Sequence, residues 1–562
     1  MVLTASISGW GAVAMPRLRS WPERFGAGTL LVFFLMAAAG WSGFLSSAVL
    51  WTVLSLGMLL WARPGGFSVS RGFLLAGICG LFMLPLVMLP PLSRDGMIHH
   101  LYQARLWLEA GRIVRPQWCG FFSYPYLTES LYTLAGGTFG FRVSRAVSFI
   151  GFLASCSVLT GYFLKRGRKR AAVLSLLVLL SIPELYRNAT WSYSDSFLVF
   201  FGLLTYVEML REKSNPVLVL VWAGAAACCK YNGFLVMVSV LILMPFRFRR
   251  LSRKTLIAAG AAGTFMVAWW ALPNLLQWGN PVYPLLRSVF GPVEEAGTGA
   301  SDYFAGSAFR TSLHTVKDYI LLPVRISLHG RWDDPALFDG SSGPLLLAGS
   351  IMALPLLKDK RRKFLLPLLY MLFTVAAKGS ALRVRYLLPG LAMLALPVTE
   401  AVTALLRKKG AVRYAAIVLT AGCLAWSAEK VSGLYLLERP WNYRGEGAYL
   451  SARTGYYDFY KGCEDFVASG DTTYLVNLSR PFYFPGYAVF DGNGLPISFV
   501  DLLWRGCGSE AISDSMRVRG IDFIAADMFL TSINVAPELD EDQLLQWKDF
   551  VCRWLEPRMT MG

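Results

Sequence analysis

The chain has 562 residues, of which 55% are hydrophobic and only 16% charged, with 36 Phe, 24 Tyr and 18 Trp. A soluble globular protein carries about 25% charged residues and a disordered chain is poor in large apolar side chains, so the composition excludes both. The formal net charge of +18 would suit nucleic acid, but its placement along the chain makes it topological and leaves no nucleic-acid footprint.

Apolar stretches fit to cross a ~30 Å hydrocarbon layer recur through the first three quarters of the sequence. They fall at 28–43, 45–62, 72–92, 143–164, 171–186, 195–210, 215–229, 232–246, 255–273, 342–357, 364–378, 386–406 and 414–429. These predict about 13 helices, several shorter than the ~20 residues of an ideal span. The stretch 28–62 is too long for one span and is expected to break at Gly40 and Gly43.

Basic clusters orient the bundle. Arg17, Arg19 and Arg24 precede the first span, and Arg63 and Arg71 flank the next turn on that side. The run Lys165, Arg166, Arg168, Lys169, Arg170 follows the fourth span, and later come Arg247–Lys254, Lys358–Lys363 and Arg407–Arg413. With alternating spans all fall on one face, which the positive-inside rule makes cytoplasmic. No span is followed by a small-residue site that would make it a removable signal peptide.

The opposite face takes the segments 93–142, 187–194, 274–341, 379–385 and the tail from about 430. The tail is polar, and its acidic residues outnumber its basic ones by roughly six. Thr473–Leu478, Tyr487–Phe490 and Ile521–Ala525 read as short strands between helical pieces, as in a small α/β domain. The expected organisation is a membrane-embedded unit at 1–429 and an extracytoplasmic α/β domain at 430–562. The nine Cys show no metal-ligand spacing. Cys463, Cys507 and Cys552 would share an oxidising compartment, which permits one disulfide without selecting the pair.

The first external loop, Ser93 to Arg112, carries the clearest chemistry. Asp95 stands just past an apolar helix and before an amphipathic one, in which Leu101, Ala104, Trp107 and Leu108 recur at helical spacing. Asp95 could cap that helix. At the bilayer edge it would instead be partly desolvated, which raises a carboxyl pKa and makes a better base. Asp195, in Trp191-Ser-Tyr-Ser-Asp195, offers the same choice between cap and site. Glu129 is a third acid on this face, and His99 and His100 lie a turn past Asp95, where either could share a metal with the acids. Arg105 and Arg112 read as headgroup contacts or local pairs.

Lys230, with Tyr231 beside it, sits in a turn on the face that the positive-inside rule denies to cations, so an anionic partner is expected. Arg383 and Arg385 make the same point from another external loop. These cations would suit a phosphate at the membrane surface, although snorkelling to headgroups is the plain alternative.

The ordered set resembles the GT-C superfamily of membrane glycosyltransferases, relatives of protein O-mannosyltransferases and of the lipid A aminoarabinose transferase. It comprises the early acid and its amphipathic helix ending Leu-Glu-Ala-Gly-Arg112, Tyr124-Pro-Tyr with Glu129, and Tyr193-Ser-Asp195. Lys230-Tyr-Asn-Gly, Trp278-Gly-Asn-Pro-Val-Tyr-Pro284 and Arg385-Tyr-Leu-Leu-Pro389 complete it. The resemblance covers about residues 72–429. It implies a GT-C-like, mainly α membrane fold with amphipathic helices in the external loops, in a bacterial inner membrane.

It further implies inverting transfer of a sugar from a polyprenyl-phosphate donor to a lipid, glycan or protein acceptor outside the cytoplasm. Carried over, Asp95 is the catalytic base and Asp195 the second acid, with Glu129 and His99 at the pocket. Lys230 and Arg385, with Arg383 nearby, would hold the phosphate, while Tyr231, Tyr283 and Tyr386 would line the cavity. Asp95 is followed by Gly96, where many relatives carry a second acid, so metal-independent chemistry without a cofactor is expected. A polysaccharide ligase or polymerase is the nearest alternative. A transporter would instead place charges mid-span and show two similar halves.

Overall fold

The computed structural model describes residues 1–18, 20–63, 70–116, 118–248, 251–291, 313–356, 362–478, 480–490 and 499–560. Of the basic runs, Arg19, Arg249, Arg250, Lys358, Lys360 and Arg361 lie outside the described residues. Every predicted apolar stretch is largely helical. Among the described residues five helices are long and apolar enough to cross a membrane: Trp21–Trp41, Phe141–Leu164, Arg253–Trp278, Val384–Leu406 and Ala411–Asn442. Others, such as Pro216–Cys229 and Tyr231–Arg247, are apolar but shorter. The protein is an integral membrane protein.

Three details depart from the sequence reading. The stretch 171–186 is not one straight helix, because Lys169–Leu180 and Pro183–Thr190 meet at a bend of 79°. Pro183 lacks the N–H that would continue the ladder and holds Ile182 extended. The stretch 72–92 likewise breaks into Arg71–Gly80, a 3₁₀ turn and Leu84–Val87. Finally, the unpredicted helix Val2–Ala14 packs against Trp21–Trp41 and Ser47–Trp61. It is apolar but has only 13 residues, too few for a span, and its small Ser and Gly residues let backbones touch. A Cβ on Gly28 would lie 1.7 Å from the Ile7 carbonyl oxygen, so only glycine fits there.

Asp195–Met209 is buried along its whole length, as a helix apolar on all sides must be. It packs against Ser144–Leu164, Pro216–Cys229 and Val384–Leu406. Arg253–Trp278 and Ala411–Glu438 lie at the periphery and expose apolar side chains such as Phe265, Leu276, Val418 and Leu436, a surface suited to lipid.

The bundle has two chemically different ends. Val384–Leu406 carries Arg385 in its first turn and Glu400 towards its other end, about 22 Å away at 1.5 Å per residue. Glu400 accepts from Arg168 at 3.1 Å and pairs with Lys363, both from basic runs. Asp95 and Asp195 gather at the Arg385 end.

Beyond residue 445 the chain forms a three-stranded parallel sheet, β1 (Thr472–Val476), β2 (Tyr487–Phe490) and β3 (Phe523–Ala526), in the order β2-β1-β3. Thr473 is in register with Ala488 on one side and Phe523 on the other. The sheet docks onto the loop that bears Asp95. Arg105 donates to the carbonyls of Phe482, Phe484 and Gly486, at 2.8, 2.7 and 2.9 Å. The Tyr102 hydroxyl donates to the Ala488 carbonyl and accepts from its N–H, both at 2.8 Å. Arg105 therefore serves neither lipid headgroups nor a purely local pair, although it also binds Glu109 at 2.7 Å. Cys463, Cys507 and Cys552 are free thiols.

Candidate functional site

Asp95 precedes a π-helical turn, Gly96–His100, whose wider winding turns Asp95, His99 and His100 towards one side. Neither Asp95 nor Asp195 caps its helix with its side chain. The Asp95 carboxylate pairs with Arg385 at 2.7 Å. Asp195 is fully buried and receives the Lys230 ammonium at 3.0 and 3.2 Å, which is the anionic partner that the misplaced cation demands. Lys230 has extended backbone between two helices, so its side chain leaves the bundle axis and reaches Asp195.

Aromatic rings bind these pairs into one cluster. The Arg385 guanidinium carbon lies 5.1 Å from the Tyr193 ring centroid and 5.3 Å from that of Tyr386. The Lys230 ammonium lies 5.5 Å from the Tyr386 centroid. Four residues from four separate chain segments thus meet beside one ring.

Behind Asp95 lies a second polar pair. His100 Nδ1 and Glu129 Oε1 are 2.5 Å apart, and both side chains are almost completely buried. Burial pushes Glu129 up to about 7, and burial, aided by Lys230, pushes His100 down to about 3. Near pH 6 the proton therefore sits on Glu129, whose O–H donates to His100 Nδ1. His99 is held well below its ordinary value by burial and by His100. His99 Nδ1, His100 Nε2 and Glu129 Oε2 are buried without a hydrogen-bond partner. Buried polar atoms left in this state point to a ligand or water.

For Asp95 the expected direction reverses. Burial raises it, but Arg385, His99, Lys230 and His100 together outweigh burial and hold its carboxyl well below the usual carboxylate range. Sequence cannot supply that sign, because Arg385 and Lys230 come from distant segments.

The remaining named residues fall around this centre. The Tyr231 hydroxyl donates to the Tyr283 carbonyl at 2.5 Å. The Tyr231 ring meets Tyr124 at 5.1 Å, and Tyr124 meets His99 at 6.3 Å. Tyr283 is buried and stacks on Trp278 at 4.4 Å, so both tyrosines form a wall on the His99 side. Arg383 is not brought to the two carboxylates. Its guanidinium bonds the carbonyls of Pro335 and Leu382, at 3.4 and 3.2 Å. Tyr193, which the sequence offered only as part of the Tyr-Ser-Asp motif, joins the cluster, as does Lys378, which was not singled out. Lys378 ends an apolar helix on the same face as Lys230, so the positive-inside signal that marked Lys230 marks it equally.

Among the described residues no group of three or more His, Cys, Asp or Glu is placed to hold a metal. A Cβ at Gly96 would lie 2.3 Å from Ser93 Oγ and 3.2 Å from the Ser192 carbonyl oxygen, so a side chain after Asp95 would have to turn the Ser93 hydroxyl away.

These features define a multi-helix membrane protein with a buried acid and cation site at one end of its bundle. Residues 118–292 match a family described as a domain of unknown function (DUF8201). No curated protein matches the sequence. The chain is similar to the crystal structure of ArnT from Cupriavidus metallidurans bound to undecaprenyl phosphate, at 15% identity and a TM-score of 0.47. That comparison covers 84% of this chain and 96% of the other. It is also similar to ArnT from the same organism in the apo state, at 14% identity and a TM-score of 0.47, over 74% of this chain and 85% of that one.

Proposed function

We propose that the protein is a glycosyltransferase that moves a sugar from a polyprenyl-phosphate carrier to an acceptor hydroxyl. The reaction would occur at the membrane face bearing Asp95, taken as extracytoplasmic. The observation that carries this reading is the convergence of Asp95, Asp195, Lys230 and Arg385 beside Tyr386, within a bundle of apolar helices. A carboxylate, cations for a phosphate and access from lipid are the parts such a reaction needs, and no nucleotide is required.

In this mechanism the acceptor oxygen attacks the anomeric carbon from the face opposite the phosphate, inverting it. The bond from that carbon to the phosphate oxygen breaks, its electron pair leaves on the phosphate, and the acceptor proton passes to Asp95. Negative charge thus accumulates on the leaving phosphate, where Arg385 and Lys230 stabilise it. Asp95 at rest is a weak base because Arg385 holds it. A bound phosphate competes for the same guanidinium and returns basicity to Asp95. Asp195 fixes Lys230 within reach, Tyr386 supports both cations, and the Glu129–His100 pair shapes the wall behind. The acids act without a metal.

Mass spectrometry of cell-envelope lipids and glycans, with and without the protein, tests this reading. Loss of one glycan or lipid modification together with accumulation of a polyprenyl-phosphate sugar is expected. Identical profiles would refute it.

A further inference from the structure

Three cations face one aromatic ring. The Lys378 ammonium lies 4.8 Å from the Tyr386 centroid, closer than Lys230 at 5.5 Å or Arg385 at 5.3 Å. The two carboxylates of the cluster are already engaged, Asp95 with Arg385 and Asp195 with Lys230. Among the described residues no carboxylate lies within salt-bridge distance of Lys378, which is half-buried. The cluster therefore holds one positive charge more than it neutralises. An ammonium partly withdrawn from water without a carboxylate partner bears a desolvation cost, and an ionisable group so placed in a membrane protein marks a ligand pathway.

We propose that Lys378 recruits the donor's phosphate, seating it over Tyr386 between Lys378, Lys230 and Arg385. This rests on the polyprenyl-phosphate reading above and names the residue that makes first contact. Lys230 and Arg385 must release carboxylates before they serve a phosphate, whereas Lys378 releases nothing. Its attraction offsets the cost of drawing Arg385 away from Asp95, so donor arrival and activation of the base become one event. The ligand class is a phosphate ester on an isoprenoid tail, because the seat adjoins apolar helices.

The test uses the full-length protein purified in detergent, with farnesyl phosphate, farnesol and inorganic phosphate as probes and tryptophan fluorescence as readout. Wild type is expected to bind farnesyl phosphate at least tenfold more tightly than farnesol or inorganic phosphate. Lys378→Gln and Lys378→Met should lose at least about tenfold for farnesyl phosphate only, and Lys378→Arg should restore it. Thermal unfolding of each variant identifies those that fold, and one folded neutral variant suffices. Farnesyl phosphate binding at wild-type strength in a neutral variant overturns the role of Lys378 while leaving the proposed function intact. A wild-type protein that does not prefer farnesyl phosphate to farnesol overturns both, and equal affinity for inorganic phosphate overturns the lipid source.

Discussion

Arg385 holds Asp95 and rests on two tyrosine rings, so its removal has two opposing consequences. It frees the carboxylate from a cation that weakens it as a base, yet in the proposed transfer it deprives the leaving phosphate of a cation. The second effect dominates, because the charge that develops in the transition state sits on the phosphate. Arg385→Ala should lower transfer by about 10²–10³-fold while the protein accumulates normally, as measured by turnover and membrane content. Loss of the protein from the membrane would mark Arg385 as structural.

The Glu129–His100 pair makes a prediction about pH. Unfolded, a histidine takes its proton near pH 6.5 and a glutamate near 4.5, whereas folded His100 and Glu129 titrate near 3 and 7. Between pH 4.5 and 6.5, His100 adds stability as pH rises, because only the unfolded chain protonates it, and His99 acts in the same direction. Glu129 subtracts stability over the same window, because only the folded chain protonates it. Glu129→Gln removes the subtraction and should steepen the dependence by about 1.4 kcal/mol per pH unit. Thermal unfolding between pH 4.5 and 6.5 checks this, and parallel curves for variant and wild type would contradict the protonated Glu129.

At the scale of elements, the helix Leu101–Ala110 couples the Asp95 turn to the terminal sheet. Arg105 makes three carbonyl contacts there, and bonds from a charged donor contribute about 1.5–3 kcal/mol each before non-additivity. Arg105→Ala should loosen the sheet, seen as faster proteolytic release of the tail and reduced turnover from a less ordered Asp95 turn. Unchanged proteolysis would mean that Tyr102 and its neighbours hold the sheet unaided.

Much of this element order is legible in the sequence because apolar length and basic punctuation are strong, local signals. The 79° bend between Lys169–Leu180 and Pro183–Thr190 was foreshadowed only by Pro183. The burial of Leu101–Ala110 depends on a sheet nearly 400 residues away in sequence, which the amphipathic pattern alone does not reveal.

Across the whole molecule, the charges that stand out at helix ends do converge, and their isolation in apolar surroundings is what made them visible. Arg383 and Arg385 could not be separated by composition. Their difference is one of phase, because residues two apart near a helix start project to different sides. Asp95's depressed titration was equally hidden, since it requires knowing which cations fold back onto it. The net positive character of the site belongs to the assembled bundle and to no single motif. In the proposed reaction it would make the phosphate, and not the sugar, the part of the donor that these residues meet most directly.

In the proposed reaction Asp95 takes the acceptor's proton as a sugar leaves its polyprenyl phosphate. Asp95→Asn keeps shape and hydrogen bonding while removing the charge and the base. Cells carrying this variant are expected to retain normal amounts of protein in the membrane, lose the transferred sugar and accumulate the lipid-linked donor, as read by mass spectrometry. Wild-type levels of transferred sugar from Asp95→Asn would contradict it.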